Sequence, residues 1–128
     1  MWHVVYYNDL KGNCEVEYFL DSLKNRQRAK VEAWIDKLEE EGPELPRPFA
    51  DLLEDGIHEL RVKIVGKQER ILYFFTFRNY IILTNHFTKK EGGVPKGQIN
   101  KAKKIRSEFN SRFKAVEQFE KYLDELDD

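Results

Sequence analysis

Residues 57–87 read IHELRVKIVGKQERILYFFTFRNYIILTNHF, and this stretch decides the fold. In its first run His58, Leu60, Val62 and Ile64 alternate with Glu59, Arg61 and Lys63, the period of two that turns one set of side chains to a core and the other away from it. Val65-Gly66-Lys67-Gln68 is turn chemistry leading into Arg70–Phe75, and Arg78-Asn79 turns the chain again into Tyr80–Phe87. Connections this short join antiparallel neighbours, because a parallel pair needs a long crossover. The stretch therefore predicts a three-stranded antiparallel meander.

Upstream, Trp2–Tyr7 is β-branched and aromatic and predicts a first strand, with Asn8–Asn13 as its exit loop. Val16, Phe19, Leu20 and Leu23 fall at helical spacing, and so do Val31, Trp34, Ile35 and Leu38 after Asn25, which reads as an N-cap. Gly42-Pro43 should stop this second helix, since Gly suits the position after a helix end and Pro cannot continue one. The pair predicts a helical hairpin with charged outer faces and Trp34 in the core, followed by a proline-rich connection over 43–48. Downstream, Pro95 can open a helix with Ile99, Ala102, Ile105, Phe109 and Phe113 on one stripe, and a further amphipathic piece runs through Val116, Phe119, Leu123 and Leu126. The order predicts an α+β fold with helices against one face of an antiparallel sheet and the other face partly free.

A chain of 128 residues, 41% hydrophobic and 13% aromatic, can bury one core, and a single domain spanning 1–128 is expected. No apolar run approaches the roughly 18 residues of a membrane span, and the start lacks a signal peptide's basic and apolar regions, so the expected compartment is the cytoplasm without membrane attachment. The lone Cys14 allows no internal disulfide and makes a poor zinc signature. His3, His58 and His86 have no metal-binding spacing, and no nucleotide-binding loop or nucleophile elbow occurs, so neither metal nor cofactor is expected.

The net charge of −1 conceals a strong segregation of sign. Residues 1–56 hold 7 Lys and Arg against 13 Asp and Glu, residues 57–106 hold 12 against 3, and residues 107–128 hold 3 against 7. A basic module between acidic flanks points to a localised polyanion site, although a lysine cluster is more commonly a solvated face.

Arg61 and Lys63 share one side of their strand, Arg70 begins the next strand across the hairpin, and His86, Lys89 and Lys90 end the third. Together they offer what metal-free RNA cleavage requires: a base for the 2′-hydroxyl, cations around the phosphate and a donor for the leaving oxygen. Lys63, Lys67 and Lys96 extend the basic surface as RNA-binding candidates. Structural readings stand beside these: Arg61 can pair with Glu59, Arg70 can be a solubility charge at a hairpin end, and a lone histidine on an apolar strand is more commonly a hydrogen-bonded core or rim residue. Tyr73 and Tyr80 read as packing residues.

In order along the chain stand Asp51-Leu52-Leu53, Gly56-Ile57-His58-Glu59-Leu60-Arg61, Arg70-Ile71-Leu72-Tyr73, His86-Phe87-Thr88-Lys89-Lys90 and Pro95. This set resembles the RelE/HigB superfamily of toxins, in particular its phage-derived HigB-like branch, over roughly residues 2 to 106. The resemblance implies a RelE-like fold and the toxin half of a type II toxin–antitoxin system acting as a ribosome-dependent, metal-independent mRNA endonuclease. Implied partners are a helix-turn-helix antitoxin, the ribosome and mRNA, with DNA reached only through the antitoxin. By position, Arg61 and Arg70 resemble the family's phosphate-binding arginines, Lys89 and Lys90 its basic cleavage-site residues, and His86 a candidate acid or base. The catalytic tyrosine near the C-terminus of RelE has no counterpart after Lys90, where Gly92-Gly93-Val94-Pro95 stands. Two other classes remain open: a non-catalytic module holding RNA or an acidic antitoxin segment, and a ParE-like inhibitor of DNA gyrase on the same fold. The acidic residues 107–128 lie outside the resemblance and read as a solvated helix, a docking face, or a flap over the basic surface.

Overall fold

The computed structural model describes residues 1–127 as an α+β fold. Five strands, β1 (His3–Tyr6), β2 (Ala50–Glu54), β3 (Ile57–Ile64), β4 (Lys67–Thr76) and β5 (Tyr80–Lys89), form one sheet in the order β1-β5-β4-β3-β2. The helices are α1 (Glu15–Asp21), α2 (Asn25–Glu41), α3 (Lys96–Arg112) and α4 (Val116–Leu126). This antiparallel-dominated sheet with four helices agrees with a RelE-like fold. The meander over 57–87 is present, and β1 joins it parallel to β5, with His3 opposite Tyr80.

The reading of all helices on one face is corrected, while the second face is free in part. Leu60, Val62, Ile64, Ile71 and Tyr73 pack with Val16, Leu20, Val31, Ile35 and Leu38 of α1 and α2. On the opposite face Ile57, Leu72, Phe74 and Ile82 pack with Ala102, Phe109 and Phe119 of α3 and α4. Strands covered on both faces lose their alternation, which explains the continuous apolar run of β4. Only the outer part of this second face, at the β3–β4 hairpin end, carries charge instead.

The acidic C-terminal helix is not a solvated appendage. Phe119 is buried against Tyr80, Phe109 and Phe113, and the Tyr80 hydroxyl donates to Glu120 at 2.8 Å. That contact places α4 over the Tyr80 end of the sheet, away from the basic hairpin. Helix α2 ends before Gly42 as expected, whereas its N-cap is Lys24 and Asn25 is already helical.

Two tight turns of one kind frame β3. Asp55-Gly56 joins β2 to β3 with φ of 51° and 76°, and Val65-Gly66 joins β3 to β4 with φ of 48° and 76°. Two positive φ values match the twist of a two-residue hairpin, and Asp-Gly is a favoured filling. Val65 is β-branched and strained in that position.

Candidate functional site: an arginine pair and a cleft at the β3 edge

Residues directly opposite each other on antiparallel strands share a face, and the register sets Arg61 opposite Arg70 and Arg70 opposite Phe87. Two cations side by side repel unless something intervenes. Glu59 supplies it: its Oε2 accepts from Arg61 Nε at 2.9 Å, and its Oε1 lies 3.3 Å from Arg70 Nε. Asp51 on β2 takes Arg61 Nη2 at 3.2 Å and Arg47 Nη2 at 2.9 Å, completing a chain of alternating charges, Arg47–Asp51–Arg61–Glu59–Arg70. Arg47 holds the Asp51 carboxyl below the usual carboxylate range. The expected pairing of Arg61 with Glu59 is therefore present.

The two arginines differ in access. Arg61 keeps 31% of its side chain exposed, whereas Arg70 keeps 8% and Glu59 only 2%. Arg70 donates Nη2 to Gln68 Oε1 at 2.9 Å and Nη1 to the Glu69 carbonyl, while its buried Nε, like Glu59 Oε1, has no hydrogen-bond partner. Burial pushes its pKa down, though an arginine stays cationic at ordinary pH.

Strand β2 pairs with β3 only as far as Ala50 opposite Leu60, with the Arg61 amide donating to the Phe49 carbonyl at 2.8 Å. Beyond that point no strand among the described residues pairs with the edge of β3, and Lys30 of α2 reaches it by donating to the Lys63 carbonyl at 2.6 Å. A cleft of about 470 Å³ opens there, lined by Lys30, Trp34, Phe49, Arg61, Lys63 and Arg70 among others. Trp34 and Phe49 stack at 4.7 Å between ring centres. Trp34 packs against the α1–α2 core, as expected, and being only half-buried it also lines the cleft. Lys89 and Lys90 line a second depression of about 400 Å³ with Lys67 and Gln68, at the same hairpin end.

Arg61, Lys63, Lys67, Arg70, Lys89 and Lys90 are therefore gathered at one end of the sheet. His86 is not among them. It pairs with Ile71 on the α1–α2 face, stacks on Phe19 at 3.5 Å, and meets Glu69 Oε1 through Nε2 at 3.1 Å. Burial lowers its pKa against the opposing pull of Glu69. The structural reading of this histidine is the one its surroundings match. Lys96 is also remote, bonded to Glu54 together with Lys103 near the start of β3, about 20 Å along the strand from Lys63. Tyr73 and Tyr80 are buried, as expected for packing residues.

A larger cleft of about 600 Å³ lies between α1 and α3, but Asp9, Glu15 and Glu108 face Lys101 and Lys104 across it, so it offers a polyanion no net attraction. Among the described residues no helix is long and apolar enough to cross a membrane.

Residues 18–107 match the family described as Phage derived protein Gp49-like (DUF891). The chain belongs to this family. Gp49-like proteins are phage-derived and RelE/HigB-like in their toxin character, and a toxin of a toxin–antitoxin system implies a cognate antitoxin as partner. No curated protein matches the chain. The matched segment of this Gp49-like chain holds α2, β2 to β5 and most of α3, including the whole arginine chain and the β3-edge cleft, while β1 and α4 lie outside it.

Sequence reasoning missed Lys30, Trp34 and Phe49 as cleft residues, and Asp51 and Gln68 as groups that fix the arginines. The available signal was Pro46-Arg47-Pro48-Phe49, an aromatic residue that a proline-rich loop delivers beside the basic strand.

Proposed function

We propose that this Gp49-like protein is the toxin of a type II toxin–antitoxin pair in the HigB-like branch, and that it cleaves mRNA on the translating ribosome in the cytoplasm. The observation that supports this reading is the cross-strand pair Arg61–Arg70 beside a cleft with four cations and two stacked rings. Phosphate contacts supply the sequence-independent part of RNA binding, and aromatic rings accept unstacked bases. In this reading the 2′-hydroxyl of a bound nucleotide gives its proton to solvent water as it attacks the adjacent phosphate, a 2′,3′-cyclic phosphate forms with cleavage of the P–O5′ bond, and the departing 5′-oxygen takes a proton from Lys89 or Lys90. Arg61 offsets the charge growing on the phosphate, and Arg70 holds the shared Glu59 carboxylate in place behind it. His86 is assigned a packing part with Phe19 and Glu69. The neutralising partner is a helix-turn-helix antitoxin, through which alone the pair would reach DNA.

A non-catalytic binding module is the second reading. The carboxylates nearest the pair, Asp51 and Glu59, are both engaged by arginines, which leaves neither free as a general base in this state. Induced expression of wild type and Arg61→Ala in a bacterium, with mapping of mRNA ends, separates these readings. Arg61 is the better target than Arg70, whose side chain is buried and whose loss leaves Glu59 Oε1 without a cation. Cuts within translated codons that vanish in the variant support the endonuclease. Growth arrest with intact mRNA favours a gyrase inhibitor, and an absence of arrest favours the binding module.

A further inference from the structure

We infer that the cleft at the β3 edge is a single-nucleotide subsite in which Phe49, backed by Trp34, stacks one unpaired RNA base while Arg61 and Lys63 hold the neighbouring phosphate. This rests on the RNA reading above and adds a base-recognition element to it.

Phe49 is 38% exposed although one face of its ring is covered by Trp34, so the uncovered part lies open to the cleft. An aromatic ring so exposed forgoes about 25 cal/mol for each Å² of apolar surface left in water. Its position is fixed from two sides, by the Trp34 stack and by the Arg61 amide on its own carbonyl. Ring and guanidinium are thereby coupled through one backbone hydrogen bond, which sets a base platform and a phosphate ligand at neighbouring places.

The chemistry of the walls selects the occupant. Lys30, Arg61, Lys63 and Arg70 line the cleft and no carboxylate does, in contrast to the mixed-sign cleft between α1 and α3. A volume of about 470 Å³ lies in the range of small-ligand sites, roughly 300–1,000 Å³. An acidic peptide would satisfy the cations but has no group that calls for a paired aromatic platform. A nucleotide satisfies both.

The chain contains two tryptophans, Trp2 and Trp34, so a Trp2→Phe background reports on the cleft through fluorescence. The purified full-length protein is titrated with an adenylate hexamer, with the same ribose-phosphate chain lacking bases, with inorganic polyphosphate, and with a glutamate hexapeptide. The expected result is quenching of Trp34 by the hexamer but not by the two base-free polymers. Phe49→Ala should weaken hexamer affinity on the order of tenfold, leave polyphosphate affinity unchanged, and melt as a folded protein, while Phe49→Tyr retains hexamer affinity. Equal weakening for hexamer and polyphosphate, or no effect of Phe49→Ala on the hexamer, overturns the base platform while leaving RNA binding intact. Polyphosphate binding without hexamer binding, or quenching by an acidic peptide alone, overturns the subsite together with the RNA reading.

Discussion

The two ends of the α3–α4 face of the sheet are made by the same three strands and behave oppositely. At one end Ile57, Phe74, Ile82 and Tyr80 meet Phe109 and Phe119, and two helices seal the surface. At the other, alternate positions of the same strands are Glu59, Arg61, Gln68, Arg70 and Lys89, with Glu59 and Arg70 buried in ion pairing and Arg61 part-exposed. The turns divide likewise, with the favoured Asp55-Gly56 at the sealed end and the strained Val65-Gly66 at the charged end. One strand pattern thus serves stability over half its length and carries the proposed polyanion surface over the rest. The charged end is held together by ion pairing among its own residues, so its stability and its function can be separated by mutation.

The largest expected effects test that contrast. Phe119→Ala should cost about 3–5 kcal/mol in urea unfolding, the range for a buried phenylalanine, with the arginine chain intact. Arg70→Ala should cost somewhat less, about 1–3 kcal/mol, because it leaves the buried Glu59 Oε1 without a cation and the carboxylate held by Arg61 alone. Pairing Arg70→Met with Glu59→Leu should recover most of that loss without restoring toxicity, since a buried ion pair is often replaceable by apolar side chains. Recovery of toxicity in this double variant would break the comparison.

Smaller effects sharpen it. Arg61→Ala should cost only about 1 kcal/mol in the same unfolding measurement while abolishing toxicity, because Arg61 is part-exposed and Glu59 keeps Arg70 nearby. Val65→Asn should stabilise the hairpin by about 1 kcal/mol, since Asn accepts a positive φ that Val resists. Unfolding measured against pH reports on the α1–α2 face. Burial lowers the His86 pKa from 6.5, so below about pH 6.5 the unfolded chain binds more protons, and stability should fall as the pH drops through that range. His86→Gln should flatten this slope, and an unchanged slope would place its origin at His58, which burial shifts in the same direction.

Periodicity made most of the fold legible. The 57–87 meander, both N-terminal helices and the Pro95 helix start follow from apolar spacing and breakers. β2 was not legible, because Ala50-Asp51-Leu52-Leu53-Glu54 is poor in the β-branched and aromatic residues that mark strands and is extended by its pairing with β3. The second helical layer was hidden for a related reason: a helix stripe shows that a helix packs, not on which face of the sheet. In the site, the Arg61–Arg70 register was readable from the short Val65-Gly66 turn. The place of His86 was not, because the β4–β5 register shifts between Ile71 and Tyr73, and such a bulge reverses which residues beyond it share a face. Phe49 and Trp34 meet only through the tertiary path of a proline-rich loop, which no local pattern encodes.

The most direct test of the account is a reconstituted assay with purified protein, ribosomes and one defined message, reading RNA ends and their chemistry with and without translation. Cuts inside translated codons that end in a 2′,3′-cyclic phosphate and disappear with Arg61→Ala are the expected result. Intact message under translation, or equal cutting by wild type and Arg61→Ala, would contradict it.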